Sequence, residues 1–265
     1  ALERLQKLIA PFVLRRLKKD VLKDLPEKLE KNMFTPLTGE QEDLYRAHVQ
    51  RLEVLLSKQS QEEFNQSKIE ILAELTKLRQ LCCDPALLYE NYQAGSAKLD
   101  LCLELVQNAI SGGHKILIFS QFTTMLDGIA ERLKQENIPY YVLKGSTPKQ
   151  ERMQLVTAFN QDETPVFLIS LKAGGTGLNL TAADIVIHYD PWWNTAVQNQ
   201  ATDRAHRIGQ KNKVLVYRLI AQNTIEEKIL RLQEKKAQLA DQILSGETTK
   251  NPAFSREELL ALLQD

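Results

Sequence analysis

The sequence predicts an α/β fold, a parallel sheet with helices covering both faces. Two observations carry this. Beyond residue 95, five short apolar, β-branched runs recur, each too short for a helix and apolar throughout, as in strands buried on both faces. Between them lie longer segments whose Leu, Ile and Val fall at three- and four-residue steps, the mark of a helix burying one stripe. Strands that alternate with helices in this way close as a doubly wound parallel sheet.

Taken in order, residues 1–95 read almost wholly as helix. Periodic stretches at Val49–Leu56 and Ile69–Leu81 are punctuated by Pro26, Pro36 and Pro85. Lys115–Ser120 (KILIFS), after the Gly112-Gly113 breaker, is the first buried strand. Thr123–Gln135 then sets Leu126, Ile129 and Leu133 on one helical face, and Tyr140–Leu143 is the second strand. Thr147, Pro148 and Gln150 predict a capped helix start, with Leu155, Val156 and Phe159 turned inward. Val166–Ser170 and Asp184–Tyr189 are strands separated by the glycine-rich LKAGGTGLNL. Asn194–His206 is expected to be helical, and Lys213–Ile220 is the fifth strand. Thr224 and Glu227 predict a capping box for a last helix carrying Ile225, Ile229, Leu232, Leu239 and Ile243, which stops near Gly246.

With 43% hydrophobic and 26% charged residues, the composition excludes a wholly disordered or collagen-like chain. No stretch approaches the roughly 18–20 apolar residues of a spanning helix, so no membrane partner is expected. There is no basic-then-apolar leader, and the chain opens on Ala1 rather than Met, which predicts a segment of something longer. Three cysteines, two of them the adjacent Cys82 and Cys83, argue against a disulfide framework and for a reducing compartment. The balance of 34 basic and 34 acidic residues hides a segregation. Residues 1–31 hold nine Lys/Arg against five Asp/Glu, whereas 39–74 hold four against eight, so a local basic surface is compatible with overall neutrality.

Doubly wound sheets bind ligands beyond the carboxyl ends of their strands. Ser120-Gln121, Gly145-Ser146-Thr147, the Gly174–Gly177 loop and Asp190–Trp193 all fall there. Gly174, Gly175 and Gly177 leave backbone amides open to an anion, and Lys172 adds a charge; a tight turn needing positive φ would use the same glycines. Neither a G-x-x-x-x-G-K-[ST] loop nor a G-x-G-x-x-G fingerprint occurs, which argues against a nucleotide-dependent oxidoreductase. In QATDRAHRIGQ (200–210), helical spacing would place Gln200, Arg204 and Arg207 on one face, suited to a phosphate whose charge must be neutralised. The four histidines and three cysteines show no zinc-ligand spacing, and no metal site is predicted. His188 reads as a satisfied core histidine and Cys82 and Cys83 as core thiols; of Trp192 and Trp193, one is expected to pack inward and one to face the cleft.

Together these strings resemble the Swi/Snf family of ATP-driven DNA translocases in helicase superfamily two. KILIFSQF (115–122) resembles the family's motif four, and YVLKGST (141–147) its next block, with Lys144 where Asp is usual. Residues 169–194 resemble motif five and its extension, with Thr195 following in place of a proline, and QATDRAHRIGQ resembles motif six. PFVLRRLKKDVLKDLPEK (11–28), LTKLRQLCCDPALL (75–88) and NTIEEKILRLQEKKAQL (223–239) resemble the linker, the helical insertion and the helix bracing the two lobes.

The resemblance implies a RecA-like second lobe. Residues 1–35 would be linker and hinge helices around Leu14, Arg15 and Arg16, 36–95 a helical insertion, 96–222 the RecA-like domain, and 223–265 the brace helix and tail. It also implies that Arg204 and Arg207 are arginine fingers, with Gly177, Asn179 (where Asp is commoner) and Gln200 near the nucleotide. Ser120, Gln121, Lys144, Gly145, Ser146, Lys172, Gly174, Gly175 and Trp193 would meet the backbone of double-stranded DNA without reading sequence. The phosphate loop and Asp-Glu pair that would hold ATP with Mg²⁺ belong to the first lobe, and Asp162-Glu163 falls in a turn where it could not serve. The lobe alone is therefore expected to be inactive, its partners being the N-terminal lobe, DNA and DNA-bound proteins, in an intracellular, DNA-associated setting. The alternative is a non-catalytic nucleic-acid-binding module of the same fold.

Overall fold

The computed structural model describes residues 25–173 and 177–234. Leu14, Arg15, Arg16, Gly174, Gly175 and the end of the last helix lie outside them. Six parallel strands form one sheet, β1 (Lys28–Pro36), β2 (Ile116–Ser120), β3 (Tyr140–Leu143), β4 (Val166–Ser170), β5 (Ile185–His188) and β6 (Val214–Gln222), in the order β1-β6-β5-β2-β4-β3. The helices are α1 (Glu40–Lys58), α2 (Gln61–Gln66), α3 (Lys68–Cys83), α4 (Ala97–Ser111), α5 (Thr123–Gln135), α6 (Lys149–Gln161) and α7 (Thr195–Thr202). Residues 225–234 are helical and are labelled α8.

The sheet is RecA-like, as expected, and its central strands bury both faces. Ile116 and Ile118 of β2 pack with α4 and α5, while Leu117 and Phe119 turn to the face covered by Phe159 of α6 and Ala201 of α7. A third cluster lies among the helices, where Leu52, Leu56, Phe64, Ile71 and Leu78 pack with Ile225 and Ile229 of α8. Cys82, Cys83 and Cys102 are buried and unpaired with one another, as core thiols.

Three expectations are corrected. Residues 28–36 form a strand where helix was predicted. β1 pairs only β6, at the sheet edge, and its KLEKNMFTP intersperses charge (Lys28, Glu30, Lys31) with apolar residues, so it lacks the apolar run of a central strand. Glu30 instead pairs with Arg218 across the strands. The caps also differ. Thr147 does not cap α6; its hydroxyl accepts from the Lys144 amide at 3.0 Å and closes a turn, so Pro148 precedes the helix with no side-chain cap. Thr224 caps α8 by accepting from Glu226 N at 3.1 Å, but Glu227 reaches the amide of Asn223 rather than that of Thr224, so no reciprocal box forms. Finally, α7 ends at Thr202, short of both arginines.

Candidate functional site

The carboxyl edge gathers the phosphate-facing candidates because β2, β3 and β4 all end there. At the end of β2, Ser120 is buried and its hydroxyl donates to Asp190 Oδ1 at 2.5 Å. The same carboxylate oxygen accepts from Gln121 N at 3.2 Å, and Phe122 N donates to the Ser120 hydroxyl at 3.1 Å. Ser120 is thus an internal brace for its loop, and Gln121 is half-buried beside it. After β3, residues 144–147 form a turn held by Arg152, which donates to the carbonyls of Thr147 and Gly145 at 2.8 Å each. Lys144 lies 2.5 Å from Asp127, so the lysine that stands where the family usually carries Asp is ion-paired. Nothing lies within 4 Å of where a Gly145 Cβ would sit, so the glycine leaves an open approach to backbone between Lys144 and Ser146. After β4, Lys172 is exposed and Ala173 N donates to the Ser170 hydroxyl at 3.3 Å.

The long β4–β5 connection crosses from this edge to the other. It starts where Leu171 N donates to Ser120 O and ends where Asp184 N donates to Lys115 O, ahead of β2. Midway, Gly177 adopts φ +52°, a left-handed conformation that explains this glycine and that an L side chain would strain. Asn179, exposed, accepts through its carbonyl from the Asn160 amide at 2.8 Å.

Against this connection lies the arginine segment. Gln200 is exposed on α7, whereas Arg204 and Arg207 follow the helix in a chain of tight turns, so the three do not form one helical face. Tertiary bonds override the helical spacing here. Leu180 N donates to Arg204 O at 3.0 Å, His206 Nε2 meets Pro26 O at 2.8 Å, and Gln210 Nε2 donates to Ala183 O at 2.8 Å. These contacts tie the segment toward the amino ends of β1 and β5, away from the carboxyl edge. Arg207, half-buried, donates to Leu178 O at 3.1 Å. Arg204 is only 8% exposed; burial, and then the charge of Arg207, lower its pKa from the usual guanidinium value. Asp203 opposes that fall, and the two arginines lie beside the glycine-bearing connection, an arrangement suited to an anion. Among the described residues no cluster of three or more His, Cys, Asp or Glu could hold a metal.

Spacing alone did not single out several groups that the fold brings together. Arg79 of α3, 4% exposed, donates to Gln121 Oε1 at 3.0 Å and to Pro191 O at 2.6 Å, with Asp190 Oδ2 at 3.7 Å. Burial raises the Asp190 pKa, and Arg79 opposes that rise. Trp192 and Trp193 are both half-buried, so they do not divide into one inward and one open ring; Trp193 packs against the helical cluster and Trp192 against that of α6 and α7. A buried Lys98–Glu226 pair joins α4 to α8. For Arg79 and Lys98 the only sequence signal is a charge at an otherwise apolar helical position. His188 is a core histidine, as expected, bonded to the Thr202 hydroxyl at 2.8 Å and stacked on Phe119.

Comparison with known proteins places this geometry. Residues 97–209 match the helicase conserved C-terminal domain, and residues 1–87 match the SNF2-related domain. A Mycoplasma pneumoniae protein named as an ATP-dependent helicase is 42% identical over 96% of this chain and 24% of its own. The chain spans about a quarter of the length of the curated relatives it matches first. Among solved structures, the Sulfolobus solfataricus SWI2/SNF2 ATPase C-terminal domain is 35% identical with a TM-score of 0.68, covering 82% of this chain and 90% of that one. The core of a Sulfolobus solfataricus SWI2/SNF2 ATPase in complex with double-stranded DNA is 37% identical with a TM-score of 0.70, over 92% of this chain and 52% of that one. The chain belongs to the SWI2/SNF2 ATPase family and corresponds to its helicase C-terminal domain.

Proposed function

We propose that this chain is the second motor lobe of an ATP-dependent double-stranded-DNA translocase of the chromatin-remodeller type. One observation carries the proposal: Arg207 donates to Leu178 O at 3.1 Å and the Arg204 carbonyl accepts from Leu180 N at 3.0 Å, which sets both arginines against the glycine-bearing β4–β5 connection. Two guanidiniums set beside one connection suit a polyphosphate, which a planar, permanently charged fork can bind in bidentate fashion. Arg204, Arg207 and the backbone near Gly177 would meet the nucleotide, and the two guanidiniums would neutralise charge that develops on the transferring phosphoryl group. Bound ATP with Mg²⁺ supplies the hydrolysable phosphoanhydride, and its phosphate loop and metal ligands would come from an N-terminal lobe. Asp162, in its turn, is committed to Tyr141 and Thr164 and offers no substitute.

Gln121, the open backbone at Gly145, Ser146, Lys172 and the Trp193 segment would contact DNA phosphates. Lys144 contributes charge from its pair with Asp127, and Ser120 acts from within, by bracing Gln121. Gly174, Gly175 and Gln200 complete the two sets. Contacts of this kind ignore base sequence, as tracking requires. The β4–β5 connection touches both sets and offers a direct mechanical link between them.

Purified as it stands, the chain is expected to show no ATP turnover with or without duplex DNA, while the complete protein carrying it turns over ATP in a DNA-dependent way. ATP hydrolysis by the lobe alone, measured as phosphate release, would contradict the assignment.

A further inference from the structure

We propose that Arg79 is a positioning residue, a buried guanidinium supplied by the helical layer that fixes Gln121 and the Pro191–Trp193 segment in the arrangement through which the carboxyl edge meets DNA. The proposal deepens the DNA-binding assignment above and rests on it.

An arginine kept only to balance Asp190 would point its donors at that carboxylate. Arg79 does not. Its hydrogen bonds go to Pro191 O at 2.6 Å and Gln121 Oε1 at 3.0 Å, while Asp190 Oδ2 stands off at 3.7 Å. Charge is balanced by Asp190, but orientation is set by the loops after β2 and β5. The guanidinium also lies 5.6 Å from the ring centres of Phe122 and Trp192 and 5.7 Å from that of Trp193, so one side chain organises three rings from the same two loops.

The remaining contacts of these loops follow the same plan. Asp190 Oδ1 takes the Ser120 hydroxyl and the Gln121 amide, which fixes the backbone from the sheet side. From α8, Gln233 Nε2 donates to Trp192 O and to Gln198 Oε1. Consecutive carbonyls at 191 and 192 are thus held by side chains from two helices outside the sheet. A planar fork is needed to reach Gln121 and Pro191 at once, and a lysine ammonium, one point charge on a flexible stem, cannot reproduce it.

Trp192 and Trp193 are the only tryptophans in the chain, so their emission reports this loop directly. The test compares wild type with Arg79→Lys, the double variant Arg79→Met/Asp190→Asn, and Gln121→Ala. Each is measured for thermal melting, for acrylamide quenching of tryptophan without DNA, and for binding to a labelled duplex of about 20 base pairs at low salt. Arg79→Lys should still melt cooperatively but show tryptophan quenching raised about twofold, because the fork and its stacking are lost. Its duplex affinity should fall about tenfold, close to the fall in Gln121→Ala, as expected for one charge-assisted hydrogen bond. The double variant removes the buried charges together and should show the same two changes, which keeps the test valid if the lysine variant folds poorly.

Quenching at the wild-type level in both Arg79 variants would overturn the proposal. So would wild-type affinity in those variants beside a weakened Gln121→Ala, which would leave the DNA assignment standing. Wild-type affinity in all three would remove the DNA assignment of this edge, and the positioning role with it.

Discussion

His188 shows how one interior residue contributes to the acid limb of stability. It sits on β5 with Phe119 stacked on its ring and Thr202 on its Nε2, and burial pulls its imidazole down to about 3, with the charge of Arg218 adding to the fall. A base whose folded pKa lies below its unfolded value of about 6.5 binds its proton first in the unfolded chain. Its contribution is therefore complete above about pH 6.5 and is lost as pH falls toward 3. We expect His188→Gln to flatten this limb by up to about 1.4 kcal/mol per pH unit relative to wild type, read from urea midpoints at pH 7, 5.5 and 4.5. Parallel pH profiles for the two proteins would contradict the assignment of a neutral, buried imidazole. The conformation of Gly177 belongs to the same scale: its φ of +52° ties the glycine to backbone shape as well as to any anion.

Single elements are joined by buried charge. Lys98 at the start of α4 and Glu226 at the start of α8 are both fully buried, and Glu226 also accepts from Ala221 N at 2.9 Å. Removing one partner leaves the other charge buried without compensation. Lys98→Met should destabilise the fold by about 3–5 kcal/mol, and Lys98→Met/Glu226→Gln should recover most of that loss, measured by denaturant unfolding. Equal stabilities of the single and double variants would contradict a coupled pair. This scale also marks what the sequence could convey. The bounds of α5, β3 and β4 follow directly from periodicity, because their apolar residues meet the nearest layer and nothing competes. β1 was invisible because an edge strand that pairs one neighbour needs no apolar run. Its partner is some 180 residues away in sequence, beyond any local pattern. The early end of α7 has the same kind of cause. The spacing of Gln200, Arg204 and Arg207 is helical, yet His206, Gln210 and the Arg204 carbonyl are drawn into bonds with distant backbone. Motif strings named the arginines proposed here for the nucleotide while extending their helix by a turn, and the string that contains Arg79, LTKLRQLCCDPALL, gave that residue no role of its own.

Among the described residues, the two regions proposed to bind anions sit at opposite ends of one connection. The carboxyl edge presents the Gly145 turn and Lys172, with Gln121 half-buried behind them, and the far side holds Arg204 and Arg207. At the two ends of that connection, Leu171 N is bonded to the Ser120 carbonyl and Asp184 N to the Lys115 carbonyl. On this account the DNA-facing and nucleotide-facing groups are separate in space, so their losses should be separable in experiment. The most direct measurement is DNA-stimulated ATP turnover by the complete protein, wild type against Arg207→Ala, with duplex affinity determined in parallel. We predict a fall in kcat of about 10³-fold or more with duplex affinity nearly unchanged. A fall of less than about tenfold, or a loss of DNA binding that accounts for the whole effect, would contradict it.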